Sequence, residues 1–166
     1  PSTEPRKVSV RVFDDELPPQ TSTAIQFTIL VERSNERPSL HLASTSTSFR
    51  ENSPPTAIAY GAALYDNSTV PAPRRIFSMS ARITSGYDSK TDRLQLGSSV
   101  INSWGKFTTW DEWTGEMKVE NKGSVADYQI LISDIRFLCD TDKPSPQPRV
   151  VTIHVTDQHD RSVPAN

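Results

Sequence analysis

The stretch Val8-Ser9-Val10-Arg11-Val12 places a valine at every second position, with polar residues between them. Successive side chains of a strand point to opposite faces of a sheet, so this alternation predicts a strand with one buried face. Turn-forming residues follow at 14–19, and Ile25, Phe27 and Ile29 then alternate in a second run. The two runs together predict an antiparallel hairpin with a long loop.

Short apolar segments recur along the rest of the chain, several of them with the same two-residue period. Further strands are predicted around 57–64, 79–83, 94–96, 107 and 117–119. A serine and threonine tract at 44–48 predicts either an extended strand or a linker. Many short strands at this spacing are typical of an all-β protein built as an antiparallel β-sandwich.

One helix is expected to interrupt the strands. Ser124 is followed three residues later by the acidic Asp127, a variant of the capping box that begins helices. From Tyr128 onward, apolar residues recur at roughly helical spacing. We therefore predict a short helix over 125–132 and a strand over 135–139.

The two ends of the chain repeat one another. Residues 1–22 align with 144–165 at a constant offset of 143 residues, and seven of the 22 positions are identical. The identical positions are 1, 2, 5, 6, 8, 12 and 14. The alternation stays in phase, so that Val8 falls on Val151. This agreement predicts an internal repeat.

The repeat has a consequence for domain organisation. Residues 1–38 would be the terminal hairpin and linker of a preceding or neighbouring module, and residues 39–166 a sandwich that lacks its last strand. An uncovered edge and a lone hairpin are both unfavourable, and strand donation between copies would resolve both. The assembly residues would then be Val8, Val10, Val12, Ile25, Phe27 and Ile29. The alternative is that the chain is a window from a longer tandem array.

Five short segments carry a family resemblance. In chain order they are FRENS at 49–53, ARITSGYD at 81–88, GSVADYQ at 123–129, SDIRF at 133–137 and RVVTIHVTD at 149–157. Their order and spacing, over about 115 residues, resemble the cadherin-like tandem repeats of long secreted adhesins and repetitive surface proteins. The resemblance implies an Ig/cadherin-like β-sandwich in an extracellular or cell-surface protein. It also implies that neighbouring repeats or subunits of the same kind are the partners.

The resemblance further implies calcium at the junctions between repeats. Calcium takes about six to eight oxygen ligands, several of them carboxylates. Residues 32–38 carry two arginines, with serine and asparagine where the family's linkers place acids. The weak remaining candidates are Asp14, Glu51, Asp66 and Asp157. We favour solvated turn acids over ligands, and predict weak calcium dependence at most.

Two further features are candidates for modification or binding. Asn67-Ser68-Thr69 is an N-glycosylation sequon, which predicts modification at Asn67 in a eukaryotic secretory pathway. Trp104, Trp110 and Trp113 crowd one region and are candidates for stacking on glycans or for contacting a neighbouring subunit. The alternative is that one or two of them fill the core and the rest cover a loop.

Composition argues against several function classes. The net charge of -2 gives no basic footprint for nucleic acid, and no apolar run is long enough to span a membrane. Cys139 is the only cysteine, so no intrachain disulfide forms. Nucleophile-elbow, phosphate-loop and metal-spaced histidine motifs are absent, which predicts a non-enzyme.

We therefore expect a non-catalytic structural module of a repetitive extracellular filament, stalk or surface protein, assembling with its neighbours. The alternative function is a carbohydrate- or calcium-dependent adhesion module whose partner is a ligand.

Overall fold

The computed structural model describes residues 4–31, 37–66 and 75–157, together with the backbone of 162–164. Most of the regular structure in these ranges is antiparallel β, which confirms the all-β prediction. The strands are β1 (Arg6–Val10), β2 (Ile25–Ile29), β3 (Ser39–His41), β4 (Thr56–Ala57), β5 (Ala63–Tyr65), β6 (Arg75–Ser85), β7 (Asp92–Leu96), β8 (Thr108–Asp111), β9 (Glu116–Ser124), β10 (Ile135–Cys139), β11 (Val150–Asp157) and β12 (Ser162–Pro164). The helices are α1 (Ile101–Trp104) and α2 (Val125–Ser133), and one turn of 3-10 helix covers Gly105–Phe107.

The strands form four antiparallel sheets. The largest has the order β12-β11-β6-β9-β8, and a three-stranded sheet has the order β4-β10-β7. The remaining strands form two pairs, β3 with β5 and β1 with β2. Within the two larger sheets several paired strands come from distant parts of the chain, such as β6 with β11 and β4 with β10, so the sheets depend on long-range contacts.

Side chains from both larger sheets and from α2 meet in one apolar core. Along β11, Ile153 and Val155 are buried whereas Thr152 and His154 are half exposed, which is the two-residue period expected of a strand with one covered face. From α2, Tyr128 and Leu131 are fully buried. Burial of such side chains contributes roughly 1.5–3 kcal/mol each and is what holds the sheets together.

The helix α2 begins where the sequence predicts it. The Ser124 hydroxyl accepts a hydrogen bond from the Asp127 backbone N–H at 3.1 Å, and the Ser124 backbone N–H donates to the Asp127 carboxylate at 2.9 Å. This reciprocal capping box satisfies two of the donors that a helix start leaves unpaired. The strand predicted over 135–139 is β10, with the same bounds.

Two predicted elements differ in the structure. Phe107 lies in the 3-10 turn that follows α1 rather than in a strand. The Trp104 backbone N–H donates to Val100 O at 2.9 Å, so the chain is already coiled before it reaches Phe107. The described residues therefore hold two short helices, where one was predicted. The strand predicted around 57–64 is also wrong, because residues 58–62 form bends and turns between the end of β4 and the start of β5. Residues 44–48 form no described ladder, which agrees with the linker alternative rather than the strand.

None of the helices in the described ranges is long and apolar enough to cross a membrane.

Candidate assembly surface

One face of the hairpin formed by β1 and β2 is mainly apolar, with Arg6 at its end, and it is exposed to solvent. The register pairs Val8 with Phe27 and Val10 with Ile25, and Ile29 lies on the same face. Cross-strand partners project to the same side of a sheet, so these five side chains form one patch, which we call the apolar hairpin face. Their exposed fractions run from 42% at Val8 to 62% at Ile25. The opposite face carries Lys7, Ser9, Gln26 and Thr28.

The loop, rather than burial, holds this hairpin together. The Asp14 carboxylate accepts a hydrogen bond from the Gln20 backbone N–H at 2.7 Å, and the Ser22 N–H donates to Val12 O at 2.9 Å. Val12, the sixth predicted assembly residue, lies just past β1 and is 67% exposed. A two-stranded sheet with neither face covered is marginal in water. The apolar hairpin face would therefore be stabilised by a partner that covers it.

The five-stranded sheet has an uncovered edge at the beginning of β11. β6 pairs along the whole length of β11, whereas β12 pairs with residues 154–156 only. On the β12 side, no described strand pairs with residues 150–153. Unpaired backbone groups of this kind can take up an added strand.

A groove of about 680 Å³ opens between the end of β10 and the start of β11. β10 is itself only partly covered there, because β4 pairs with Arg136 and Phe137 and with no later residue of β10. The apolar part of the lining consists of Phe49, Ile58, Phe137, Cys139 and Val151. We call this feature the edge groove; its lining is mainly apolar, and it adjoins an unpaired strand edge.

A proline-rich segment, 144–149, forms one wall of the edge groove and is anchored by a buried ion pair. The Arg149 Nε–H donates to Asp92 Oδ2 at 3.0 Å, and a second guanidinium nitrogen lies 3.3 Å from Oδ1. The hydrogen bond to Asp92 raises the pKa of Arg149 above its usual value. At Gly86, where φ is +71°, an added Cβ would clash with Pro148 O, so the segment packs closely against the preceding turn.

Cys139 lines the groove but is a poor nucleophile. Its side chain is buried, and burial raises the pKa of the thiol, with a further contribution from the hydrogen bond to Asp92. A thiol with a raised pKa is protonated at neutral pH and reacts slowly. The cysteine therefore contributes to the apolar lining rather than to chemistry.

The four weak calcium candidates lie in different settings. Asp14 belongs to the hairpin loop and Glu51 is exposed beside the edge groove. Asp66 and Asp157 are buried, at 7% and 2% exposure, at the ends of β5 and β11. Within the described ranges, no group of three or more His, Cys, Asp or Glu side chains is placed to hold a metal ion. The described residues therefore do not offer the cluster of oxygen ligands that a calcium site needs.

The three tryptophans have three different environments. Trp104 packs on the core, with its ring 5.3 Å from that of Tyr128. Trp110 is half buried, and the ring of Tyr87 meets it edge-on at 6.3 Å. Trp113, at the turn between β8 and β9, is 86% exposed. Only Trp113 is therefore presented to solvent as a contact residue. The sequon at Asn67 lies outside the described residues.

No protein-family model, curated protein or solved structure matches this chain.

The edge groove was not identified from the sequence. Its residues come from separate segments that only the fold brings together, as with Phe49 and Phe137, whose rings meet edge-on at 5.2 Å. One feature of the sequence pointed to this region, because Val151 aligns with Val8 at the offset of 143 residues. That correspondence marks β11 as a strand able to pair in the same way as β1.

Proposed function

We propose that this chain is a non-catalytic structural module of a repetitive extracellular filament, stalk or surface protein. In this proposal the two larger sheets and their shared core form an Ig/cadherin-like antiparallel β-sandwich. Neighbouring copies assemble through the hairpin by strand donation. The observation that carries the proposal is the apolar hairpin face, whose five side chains are between 42% and 62% exposed.

The energy available from covering this face favours weak, concentration-dependent association. Each side chain is already about half covered, so a partner gains roughly half of the 1.5–3 kcal/mol for full burial, or about 5 kcal/mol for all five. Association costs about 4–15 kcal/mol in lost freedom of motion. Burial alone therefore offsets only the lower end of that cost, and main-chain pairing with the neighbour would fix the register of the contact. Tandem linkage would strengthen such a contact by raising the effective concentration.

Sedimentation velocity over a range of concentrations, together with negative-stain electron microscopy, tests the proposal. We expect the full chain to form larger species as its concentration rises. Phe27→Asp should abolish them, because it places a charge on the apolar hairpin face. Thr28→Asp, on the opposite face of the same strand, is the matched control and should associate like the unmodified chain. Monomers at every concentration, or equal loss in both variants, would contradict the proposal.

Trp113 favours a second candidate function, an adhesion module that binds a carbohydrate. An exposed tryptophan at a turn is a residue type suited to stacking on sugar rings. Binding of the chain to immobilised glycans, with and without a chelator, tests this candidate. Trp113→Ala should abolish binding while Tyr60→Ala, at a residue that is 80% exposed elsewhere on the surface, should not. If no glycan is retained, or if both variants bind equally, the candidate is ruled out.

A further inference from the structure

We infer that the edge groove is the acceptor for strand donation, and that β2 of a second copy of this chain adds antiparallel to the uncovered half of β11. This inference rests on the proposed function and specifies its acceptor site. The register of the hairpin, the orientation of side chains on β11 and the extent of the described β11–β12 pairing support it.

The internal repeat supplies the register. In the hairpin, Val8 pairs with Phe27 and Val10 pairs with Ile25. β11 repeats the pattern of β1 at an offset of 143 residues, so Val8 corresponds to Val151. The same pairing would place Phe27 of the second copy opposite Val151, and Ile25 opposite the residue two positions further along β11.

The orientation of side chains on β11 fits this register. Ile153 is 2% exposed and Val151 is half buried, so both point toward the core, whereas Val150 is 51% exposed and points away. Because facing residues of paired strands share a side, the apolar side chains of β2 would enter the groove. Gln26 and Thr28 would face solvent. A shift by one residue would reverse this arrangement, which makes the register specific.

The donated strand also fits beside β12. β12 pairs with β11 at residues 154–156. β2 in the proposed register pairs with 149–153, so it overlaps none of the described pairs between β11 and β12.

β2 loses little stabilisation when it separates from β1. The β1–β2 ladder has both faces exposed, and such two-stranded sheets are marginal. In the groove, β2 would keep an equivalent antiparallel partner and gain contact with Phe137 and Cys139. Donor and acceptor are different surfaces of one chain, so this contact is heterologous and lets copies add in series.

Mixing two variants tests the inference. Phe27→Asp removes donation but leaves the acceptor intact, and Val151→Asp blocks the acceptor but leaves donation intact. Each variant alone should be monomeric by sedimentation, and an equimolar mixture should form a one-to-one complex that grows no further. Gln26→Asp and Thr152→Asp, at outward-facing positions, are the matched controls and should still associate alone. If the unmodified chain associates but the mixture stays monomeric, the acceptor assignment is wrong and the proposed function stands. If the unmodified chain never associates, the proposed function itself fails.

A second measurement needs no acceptor variant and covers the case in which Val151→Asp does not fold. Cys139, the only cysteine, lines the edge groove. The reaction of this buried thiol with a maleimide is slow in the isolated chain, because its pKa is raised, and it should slow further by several-fold when the unmodified chain is concentrated enough to associate. In Phe27→Asp the rate should not depend on protein concentration. An unchanged rate in fully associated protein would overturn the inference.

Discussion

The ion pair between Arg149 and Asp92 offers the sharpest test of how the groove wall is held. The Asp92 side chain is fully buried and the Arg149 side chain is 13% exposed, so solvent screens their attraction very little. In Arg149→Met the carboxylate loses both guanidinium contacts, and the Asp88 backbone N–H at 3.0 Å remains. Breaking one side of a buried pair costs about 3–5 kcal/mol, because a buried charge is left uncompensated. Against a typical total stability of about 5–15 kcal/mol, that loss is large.

The measurement is urea unfolding followed by circular dichroism, with the free energy of unfolding extrapolated to water. The matched control is Lys118→Met, which removes an exposed pair with Glu116 and should cost less than about 1 kcal/mol. The double variant Arg149→Met with Asp92→Leu should recover part of the loss, because an apolar pair leaves no unpaired charge. An Arg149→Met variant no less stable than Lys118→Met would refute the reasoning.

Four further outcomes are expected. Ser124→Ala should lower the free energy of unfolding by about 1 kcal/mol in denaturant titrations, because α2 loses its cap. The hydrogen bond from the Ser124 hydroxyl, and then that from its backbone N–H, hold the pKa of Asp127 below its usual 3.8. The stabilisation from Asp127 is thus present above 3.8 and lost as the pH falls through the lower folded-state value, and thermal melts of Asp127→Asn should lack this acid-dependent loss. In urea unfolding, Trp104→Ala should cost about 3–5 kcal/mol and Trp113→Ala less than about 0.5 kcal/mol, since only the first packs on the core; equal costs would contradict this assignment. Intact mass spectrometry of native secreted protein from a eukaryotic source should show a glycan at Asn67, and an unmodified mass would contradict that prediction.

Local patterns in the sequence were sufficient for the elements whose causes are local. The hairpin follows from alternation on both sides of a turn-rich loop, and the structure places its apolar side chains on one face as that period requires. The start of α2 follows from a serine and an acid three residues apart. The turn of 3-10 helix at Phe107 was missed because no two-residue or helical period persists through that segment. The six predicted assembly residues could also be chosen from a local pattern, because alternation determines which side chains of a strand share a face.

The sequence by itself therefore determined that the chain is β-rich and where its first hairpin lies, and it showed seven identities among 22 aligned positions at the two ends. Only the tertiary structure decided that no described strand pairs with the first half of β11 on its β12 side, and that a groove opens beside it. The same holds for the Arg149–Asp92 pair, whose partners are 57 residues apart, and for the different environments of the three tryptophans. The physical reason is that periodicity and capping act over a few residues. A groove, a buried ion pair or an uncovered edge depends instead on which distant segments the chain brings back to pack together.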